Sequence, residues 1–323
     1  MNPIESGVRK IDSWQQKHRI PGFAFAVFKK FGDDQAGNLV ALLTYYAFLA
    51  TFPLLLILSA ILGLVLKGNV SLQTSIQTSA LAEFPIIGTQ LKSQIGIASL
   101  GHSTLALIIG IVGALLGARG LANALQNALN SLWSVPKINR PGFPSSYLRS
   151  LSLLGLLGVG TVVTTAGTWL VGASHMLGIT GVFTKILAIT LSTAIDFFLF
   201  MVAFRIAAAA TVSTRNLFLS AILSSVVWQV LLSLAGMIIS HYLKHAQAIA
   251  GFFGIVLGLL AWFGLQATTI IYAIEADVVR ARRLWPRSIV QPPLTSADKQ
   301  YLIEAVEVEK RRPEQVITVE FTP

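Results

Sequence analysis

The chain has 323 residues, of which 54% are hydrophobic and only 12% are charged, and its formal net charge is +10. An ordinary soluble domain carries roughly 25% charged residues, so this composition excludes that class. The sequence contains no cysteine, which excludes disulfides and thiolate metal sites.

Residues 1–38 are predicted to form a cytoplasmic or interfacial segment. Ile20-Pro21-Gly22 interrupts the chain, and apolar residues then recur at helical spacing beside Lys29 and Lys30: Phe23, Val27, Phe28 and Phe31. This pattern is typical of an amphipathic helix that lies in the headgroup region of a bilayer. The segment shows no apolar region before a small-residue cleavage site, so we expect the first membrane span to serve as the insertion signal.

Six long apolar runs follow, separated by short polar segments. They are Leu39–Leu66, Ser103–Leu121, Leu148–Ala173, Ile186–Phe204, Leu217–Leu243 and Gly251–Ile274. Each run approaches or exceeds the ~20 residues that a helix needs to cross a bilayer, and in lipid a helix satisfies every backbone polar group of its segment. The sequence therefore predicts an all-α, polytopic membrane protein with six transmembrane helices in residues 39–283.

The first span contains two features that are unusual for a simple transmembrane helix. Pro53 removes a backbone donor and predicts a kink that shapes a cavity. Tyr45 and Tyr46 lie several residues inside the span, too deep for an interfacial aromatic belt. Contact with a substrate and packing against a neighbouring helix both remain open for these tyrosines.

The second span carries a face of small residues, namely Gly110, Gly113, Gly117 and Gly120. Such a face allows another helix to approach closely, within the bundle or in a homo-oligomer. After it, Leu121, Leu125 and Leu129 follow helical spacing, which predicts a separate helix on the inner membrane surface that ends before Pro136.

Asp196 is the strongest candidate for a functional residue, because it lies in the middle of the fourth span. A carboxylate at that depth costs about 2.5–3.5 kcal/mol on insertion scales. Ser192 and Thr193 lie about one turn before it, and the third span offers a stripe of hydroxyls: Thr161, Thr164 or Thr165, and Thr168. These residues are predicted to line a polar, proton-titrating path, and the alternative is a carboxylate held by hydrogen bonds for packing alone.

Charged residues collect at the predicted inner ends of the spans. Arg119, Arg149 and Arg205 lie at or near three of these ends, and Glu275 and Asp277 lie at the end of the sixth span. Interhelical ion pairs or an anion-binding rim would explain them, but ordinary determinants of membrane topology are the favoured explanation for each residue taken singly.

The distribution of basic residues predicts the orientation of the chain. Four lysines, Lys67, Lys92, Lys185 and Lys244, are the basic residues of the three loops on one side, and the other twenty of the 24 lie elsewhere. By the positive-inside rule, both termini are cytoplasmic and the basic excess contacts anionic lipid headgroups rather than nucleic acid. The tail, residues 284–323, is predicted to be mobile, with one short helix from Ser296 to Arg311.

Three stretches of this sequence together resemble the YihY/BrkB family of inner-membrane proteins, formerly described as ribonuclease BN. They are Leu43-Thr44-Tyr45-Tyr46 with Phe52-Pro53-Leu54, then Ala128–Trp133, and finally Trp228, Gly251, Trp262 and Glu275 in that order. The resemblance covers roughly residues 20–285. It implies a six-helix bundle in the bacterial plasma membrane, and roles in envelope lipid export and serum resistance have been proposed for members.

Three functions from different classes are compatible with these residues. The first is transport or flipping of an amphipathic, anionic envelope lipid or related solute, and the second is a non-catalytic scaffold of envelope machinery. The third, a ribonuclease, is disfavoured because such chemistry needs a metal cluster or an acid–base pair facing water. His241 and His245 share a helix face but lack the glutamate of a zinc motif. We therefore expect no enzyme activity, no metal and no cofactor.

Overall fold

The computed structural model describes residues 3–65, 104–176 and 182–321, and within these ranges the regular structure is helical. Its α-helices are α1 (Pro3–Lys17), α2 (Arg19–Asp33), α3 (Ala36–Val65), α4 (Thr104–Leu132), α5 (Ser145–Met176), α6 (Val182–Ala207), α7 (Phe218–Arg282) and α8 (Ser296–Glu307). Short 3-10 helices cover Lys137–Asn139 and Thr214–Leu217. The predicted all-α class is confirmed for the described residues.

The predicted apolar runs coincide with the long helices. One run falls in each of α3 to α6, apart from a residue at the edge, and the last two runs both fall in α7. Among the described residues, three helical segments are long and apolar enough to cross a membrane: Ile186–Ala207, Thr214–Ala235 and Val256–Arg282. The protein is therefore a membrane protein by its helices, and the count of six spans remains a prediction.

Helical structure extends over the 65 residues of α7, but this stretch is not one straight helix, because its two ends lie side by side. The Asp277 carboxylate accepts a hydrogen bond from the backbone N–H of Ser220 at 2.9 Å, across 57 residues of sequence. In a straight helix these residues would be about 85 Å apart. Leu231 packs in one cluster with Leu259 and Trp262. The chain therefore reverses within α7 and forms an antiparallel helical hairpin.

Close contact between α3 and α4 depends on two glycines of the predicted small-residue face. A Cβ atom added to Gly117 would lie 2.8 Å from the Cα of Ala50, and one added to Gly120 would overlap the ring of Tyr46. Because only glycine lacks this atom, the two helices approach to backbone contact here. Gly117 and Gly120 therefore pack α4 against α3 of the same chain.

The segment after Leu121 differs from its prediction as a separate helix on the membrane surface. α4 continues without a break to Leu132, and Ala128, Leu129 and Leu132 are fully buried. No proline or glycine interrupts residues 121–132, and the apolar stripe packs inside the bundle rather than on lipid. The predicted helical spacing was right, but the predicted placement was wrong.

The N-terminal helices also differ in detail from the sequence prediction. The break lies between Lys17 and Arg19, so Pro21 falls in the first turn of α2, where its missing N–H has no helical partner to lose. Lys30, predicted to lie near lipid headgroups, is fully buried. Phe28 is 66% exposed, and this apolar residue, not the lysine, faces outward.

Several helix ends converge at one end of the bundle, which we name the charged end. It comprises α2, the end of α4, the start of α5, the loop 208–216, both termini of α7, and the segment 284–310. The Asn130 side chain accepts a hydrogen bond from the N–H of Ala209 at 2.9 Å, and Arg282 donates to the carbonyl of Trp133 at 2.5 Å. The membrane side on which this end lies remains a prediction.

Candidate functional site

Asp196 lies at the middle of the candidate span Ile186–Ala207 and is 6% exposed. Its Oδ2 accepts a hydrogen bond from Nε2 of Gln229, at 2.5 Å, which joins α6 to the first half of α7. The partner is a neutral amide, and within the described residues no basic side chain forms an ion pair with this carboxylate. The pair is thus a polar contact between two apolar helices, in which Asp196 is buried and Gln229 is half-buried.

The side chains of α6 on the two sides of Asp196 differ in their chemistry. Away from the charged end lie Ser192 and Thr193, both half-buried, and the Thr193 hydroxyl donates to the carbonyl of Ile189 at 2.8 Å. Toward the charged end lie Phe200 and Phe204, whose ring centroids are 5.7 Å apart. The carboxylate therefore marks a boundary between a hydroxyl-bearing and an aromatic part of α6.

The other residues predicted to line a path are only partly described. The side chains of Thr161, Thr165, Thr168 and Pro53 lie outside the described ones, so their predicted roles stay predictions. Tyr46 lies over Gly120 and meets the Tyr45 ring edge-on, with centroids 5.2 Å apart. Tyr45 itself is 53% exposed on the outside of the bundle. Tyr46 therefore packs between helices, whereas Tyr45 faces outward.

At the charged end, a buried cluster of three charges joins α2 to the end of α7. The Lys30 ammonium lies 2.9 Å from Oε2 of Glu275 and 2.5 Å from Oδ2 of Asp34, and it donates to the Leu132 carbonyl at 3.0 Å. The side chains of Lys30 and Glu275 are completely buried. Burial lowers the pKa of Lys30, but the carboxylates of Glu275 and Asp34 outweigh it and raise that pKa above its usual value.

A second charged cluster holds α8 against α2. The Asp298 carboxylate accepts hydrogen bonds from Nε of Arg287 at 2.5 Å, from Nζ of Lys29 at 3.0 Å and from the N–H of Ser288 at 3.0 Å. It also forms a capping box with Thr295 at the start of α8. Burial alone would raise the pKa of Asp298, yet these hydrogen bonds hold it well below its usual range.

Tyr301 links the two clusters. Its hydroxyl donates to Oδ1 of Asp34 at 2.7 Å, and its ring lies 4.6 Å from the guanidinium of Arg287. Burial, followed by the nearby charge of Asp34, raises the pKa of Tyr301. Residues 284–301 of the predicted mobile tail are thus in contact with α2, and mobility of the tail remains a prediction.

The three predicted rim arginines bind carbonyl groups or an aromatic ring. Arg149 donates to the carbonyls of Ile206 and Ala208, at 3.3 and 2.5 Å, at the end of α6. Arg205 donates to the carbonyl of Val212 at 2.6 Å. A guanidinium at a helix C-terminus satisfies carbonyls that have no partner within the helix. Arg119 is exposed, and its guanidinium lies 5.4 Å from the centroid of the Tyr147 ring.

Asp277, the other predicted rim carboxylate, fixes the two ends of the α7 hairpin to each other. Besides the N–H of Ser220, its Oδ2 accepts the hydroxyl of that serine at 2.8 Å, and its Oδ1 accepts Nη2 of Arg280 at 2.6 Å. A carboxylate at the first turn of a helix satisfies a free N–H and opposes the positive end of the helix dipole. Asp277 therefore stabilises the hairpin of α7.

Gln229, Lys30 and Asp298 were missed by the sequence analysis as members of these sites. A glutamine in an apolar run is a detectable signal, since an amide within a span needs a partner. Lys30 and Asp298 carry no such signal, because a charge outside the spans is most often solvated. Their burial becomes visible only when α2, α7 and α8 are placed together.

The charged end also contains a cleft of about 210 Å³. Trp133, Asn139, Thr211, Asn216 and Arg282 are among its lining residues. The Arg282 guanidinium, which also holds the Trp133 carbonyl, lies 2.7 Å from Oε2 of Glu304. Because this cation is already paired, the cleft offers little charge to an anion. No group of three or more His, Cys, Asp or Glu side chains that could hold a metal occurs in the described residues.

Comparison with known proteins gives one match. A family model described as virulence factor BrkB matches residues 27–293, which is most of the chain and includes Lys30, Asp196, Gln229 and Glu275. No curated protein and no solved structure shows a significant similarity. The match confirms the resemblance that the sequence motifs indicate.

Proposed function

The chain belongs to the virulence factor BrkB family, a family of membrane proteins, and from this premise we propose that it moves an amphipathic, anionic envelope lipid or a related solute across the membrane. The observation that carries the proposal is the Asp196–Gln229 pair. It places a carboxylate at the middle of a span against an uncharged partner. Packing alone would be served at lower cost by two apolar side chains.

A polar pair between apolar helices provides a place where a headgroup or a proton can be stabilised during transfer. Polar and ionisable groups inside membrane spans usually mark substrate or ion pathways for this reason. Asp196 is the proton-carrying candidate in our proposal, with the hydroxyls of Ser192 and Thr193 beside it. The aromatic residues on the other side of the pair would contact the apolar part of an amphipathic substrate.

The same proposal includes the membrane location, the orientation and the lipid contacts of the protein. We place it in the bacterial plasma membrane as a multi-pass protein with both termini cytoplasmic, and we expect no catalysis of a chemical reaction. Anionic headgroups would contact the exposed basic residues near α1, such as Lys10, Lys17 and Arg19. A homo-oligomer would use a face other than Gly117 and Gly120, for example the open surface around Gly155 and Gly158 on α5.

Reconstitution into liposomes tests the transport proposal directly. Liposomes would contain a fluorescent phosphatidylglycerol or phosphatidylethanolamine analogue, and a membrane-impermeant reductant would bleach only the outer leaflet. We expect the protein to bring inner-leaflet phosphatidylglycerol to the outside faster than protein-free liposomes do, and faster than it moves phosphatidylethanolamine. Equal rates with and without protein, over several lipid compositions, would reject lipid transport.

The second candidate function, a membrane scaffold, is favoured by a different observation. α8 carries Leu302, Ile303 and Val306 exposed on its surface while its buried side is fixed to α2 through Asp298. A rigid helix with an exposed apolar face suits the binding of another protein. Crosslinking from α8 to a defined partner, together with normal function of the Asp196→Asn variant, would favour the scaffold over transport.

A further inference from the structure

The environment of Asp196 differs between the side toward the charged end and the side away from it. We define the hydroxyl face as Ser192, Thr193 and Ser233, which lie about one turn from Asp196 or Gln229 on the side away from the charged end. Ser192 and Thr193 are half-buried, and Ser233 is exposed. The Thr193 and Ser233 hydroxyls donate to the carbonyls of Ile189 and Gln229, at 2.8 and 2.7 Å, and their oxygen lone pairs can still accept a hydrogen bond from water.

On the opposite side lies what we name the aromatic column, formed by Phe200, Phe204 and Trp228. Phe200 lies one turn below Asp196 on the same face of α6, and its ring centroid is 5.9 Å from that of Trp228 on α7. Phe204 lies one turn further and is 1% exposed. These rings occupy the interface between α6 and α7 where it runs toward the charged end.

Apolar and buried side chains continue on this side as far as Phe218, which is 50% exposed at the start of α7. The rings of Phe197 and Phe218 pack edge-on with centroids 5.2 Å apart, again between α6 and α7. Ser225, one turn below Gln229, is buried, and its hydroxyl donates to the carbonyl of Ile222 at 2.9 Å. Because a side chain that is 1% exposed is out of reach of water, this serine does not extend the hydroxyl face toward the charged end.

We propose that the Asp196–Gln229 pair is a proton-binding site with access from one side only. Water reaches the pair along the hydroxyl face from the membrane face opposite the charged end, and the aromatic column closes it toward the charged end. A hydronium ion on the open side gives its proton to a carboxylate oxygen of Asp196, which leaves water and a neutral carboxylic acid. The Gln229 amide holds the other oxygen in place through its hydrogen bond.

The inference rests on the proposed function for its purpose, because one-sided proton access is what couples transport to a gradient. Its test, however, requires no transport. The chain contains no cysteine, so a single introduced thiol reports on its own position in the full-length protein. A thiol reacts with a methanethiosulfonate reagent as its thiolate, which forms in the presence of water.

The experiment uses Ser192→Cys, Thr193→Cys and Phe204→Cys, with Ser213→Cys as the marker of the charged end, where the side chain of Ser213 is exposed. A membrane-impermeant methanethiosulfonate would be added to sealed right-side-out and inside-out vesicles. We expect Ser192→Cys and Thr193→Cys to react in the vesicles in which Ser213→Cys is protected, and Phe204→Cys to react in neither. Reaction of Ser192→Cys and Thr193→Cys in the same vesicles as Ser213→Cys, in both kinds or in neither would overturn one-sided access.

Removing one ring of the aromatic column gives a variant to compare with Thr193→Cys alone. Phe200→Ala in the Thr193→Cys background should make the thiol reactive from both sides while the melting temperature shows that the bundle remains folded. Unchanged one-sided reaction would show that Phe200 is not part of the seal, and would overturn that part of the proposal.

Proton binding itself is measurable by infrared difference spectroscopy over a pH series. We expect a protonated-carboxyl band that is present in the natural chain and lost in Asp196→Asn. A difference spectrum without that band at any pH would overturn the proton site. A protein that passes these tests but moves no lipid would keep this inference and reject the transport proposal.

Discussion

The charged end and the Asp196–Gln229 pair differ in the partner that a buried charge has: an opposite charge in the first and a neutral amide in the second. At the charged end, completely buried Lys30 and Glu275 lie 2.9 Å apart, with Asp34 and the Leu132 carbonyl also bonded to the lysine. In the middle of the candidate span Ile186–Ala207, Asp196 has an amide for its partner. Opposite charges offset much of their desolvation, whereas an amide offsets little of it.

This difference separates structural charges from candidates for function. Removing one partner of a buried ion pair destabilises the fold, because the remaining charge is then buried without compensation. A carboxylate with a neutral partner can bind or release a proton without leaving an opposite charge stranded. The charged end should therefore respond to substitution through stability, and Asp196 through activity.

The largest expected effect comes from removing the lysine of the buried pair. Lys30→Met keeps the length of the side chain but leaves the Glu275 carboxylate buried without its cation. Breaking a buried pair in this way costs about 3–5 kcal/mol. We expect a marked fall in thermal stability in detergent, and Glu275→Gln added to the same chain should recover part of it by removing the stranded charge.

Lys137→Met provides the control for this prediction. Its ammonium pairs with Glu309 at 2.6 Å, but both side chains are substantially exposed, so the melting temperature should hardly change. If Lys30→Met and Lys137→Met gave equal melting temperatures, the buried cluster would not hold α2 to α7.

Asp298→Asn tests the second cluster and carries a pH dependence. Losing a charge-assisted hydrogen bond costs about 1.5–3 kcal/mol. Because the pKa of Asp298 is lowered in the folded chain, its contribution to stability is fully present above its unfolded pKa of about 4 and is lost as the pH falls below that value. The asparagine variant should therefore be less stable at neutral pH and lose less stability on acidification. Parallel acid unfolding curves for the two chains would contradict this assignment.

The next largest effect on stability concerns the packing of α4 against α3. Gly117→Ala would place a Cβ atom 2.8 Å from the Cα of Ala50, and overpacking of this kind costs about 1–3 kcal/mol. Gly155→Ala meets nothing within 4 Å, so alanine's higher helix propensity should stabilise α5 by up to about 1 kcal/mol. An unchanged or raised melting temperature of Gly117→Ala would show that α3 and α4 do not meet at Gly117.

The smallest expected effect on stability is that of Asp196→Asn. An asparagine oxygen can still accept the hydrogen bond from Gln229, so shape and bonding are kept. We expect a melting temperature close to that of the natural chain. Asp277→Asn should lower it more, because Asp277 also bonds the charged Arg280 across 2.6 Å. A larger loss at Asp196 would make its carboxylate a structural charge like those of the charged end.

Hydropathy predicts the helices of this fold because each run must satisfy its own backbone in lipid. Asp196, Gly117 and Gly120 can be recognised in the sequence for a related reason. Each is a local exception in an apolar run. The start of α2 was misplaced by a few residues at Pro21, since proline is tolerated in a first turn as well as in a break.

What the sequence could not predict are contacts between distant elements. The pairs Lys30–Glu275 and Asp277–Ser220 join positions far apart in the chain, and nothing local to either partner indicates the other. Likewise, α4 was divided at Leu121 because an amphipathic stripe looks the same whether it covers lipid or a neighbouring helix. Partners of charged residues are decided by the packing of the bundle.

The pH dependence of lipid translocation by Asp196→Asn, measured beside the natural chain in liposomes, tests the account most directly. The account predicts that the natural chain changes its rate with pH and that the variant, folded and inserted equally well, is slower and no longer responds to pH. Identical rates at every pH would contradict it, since Asp196 would then be one more packed side chain of the bundle.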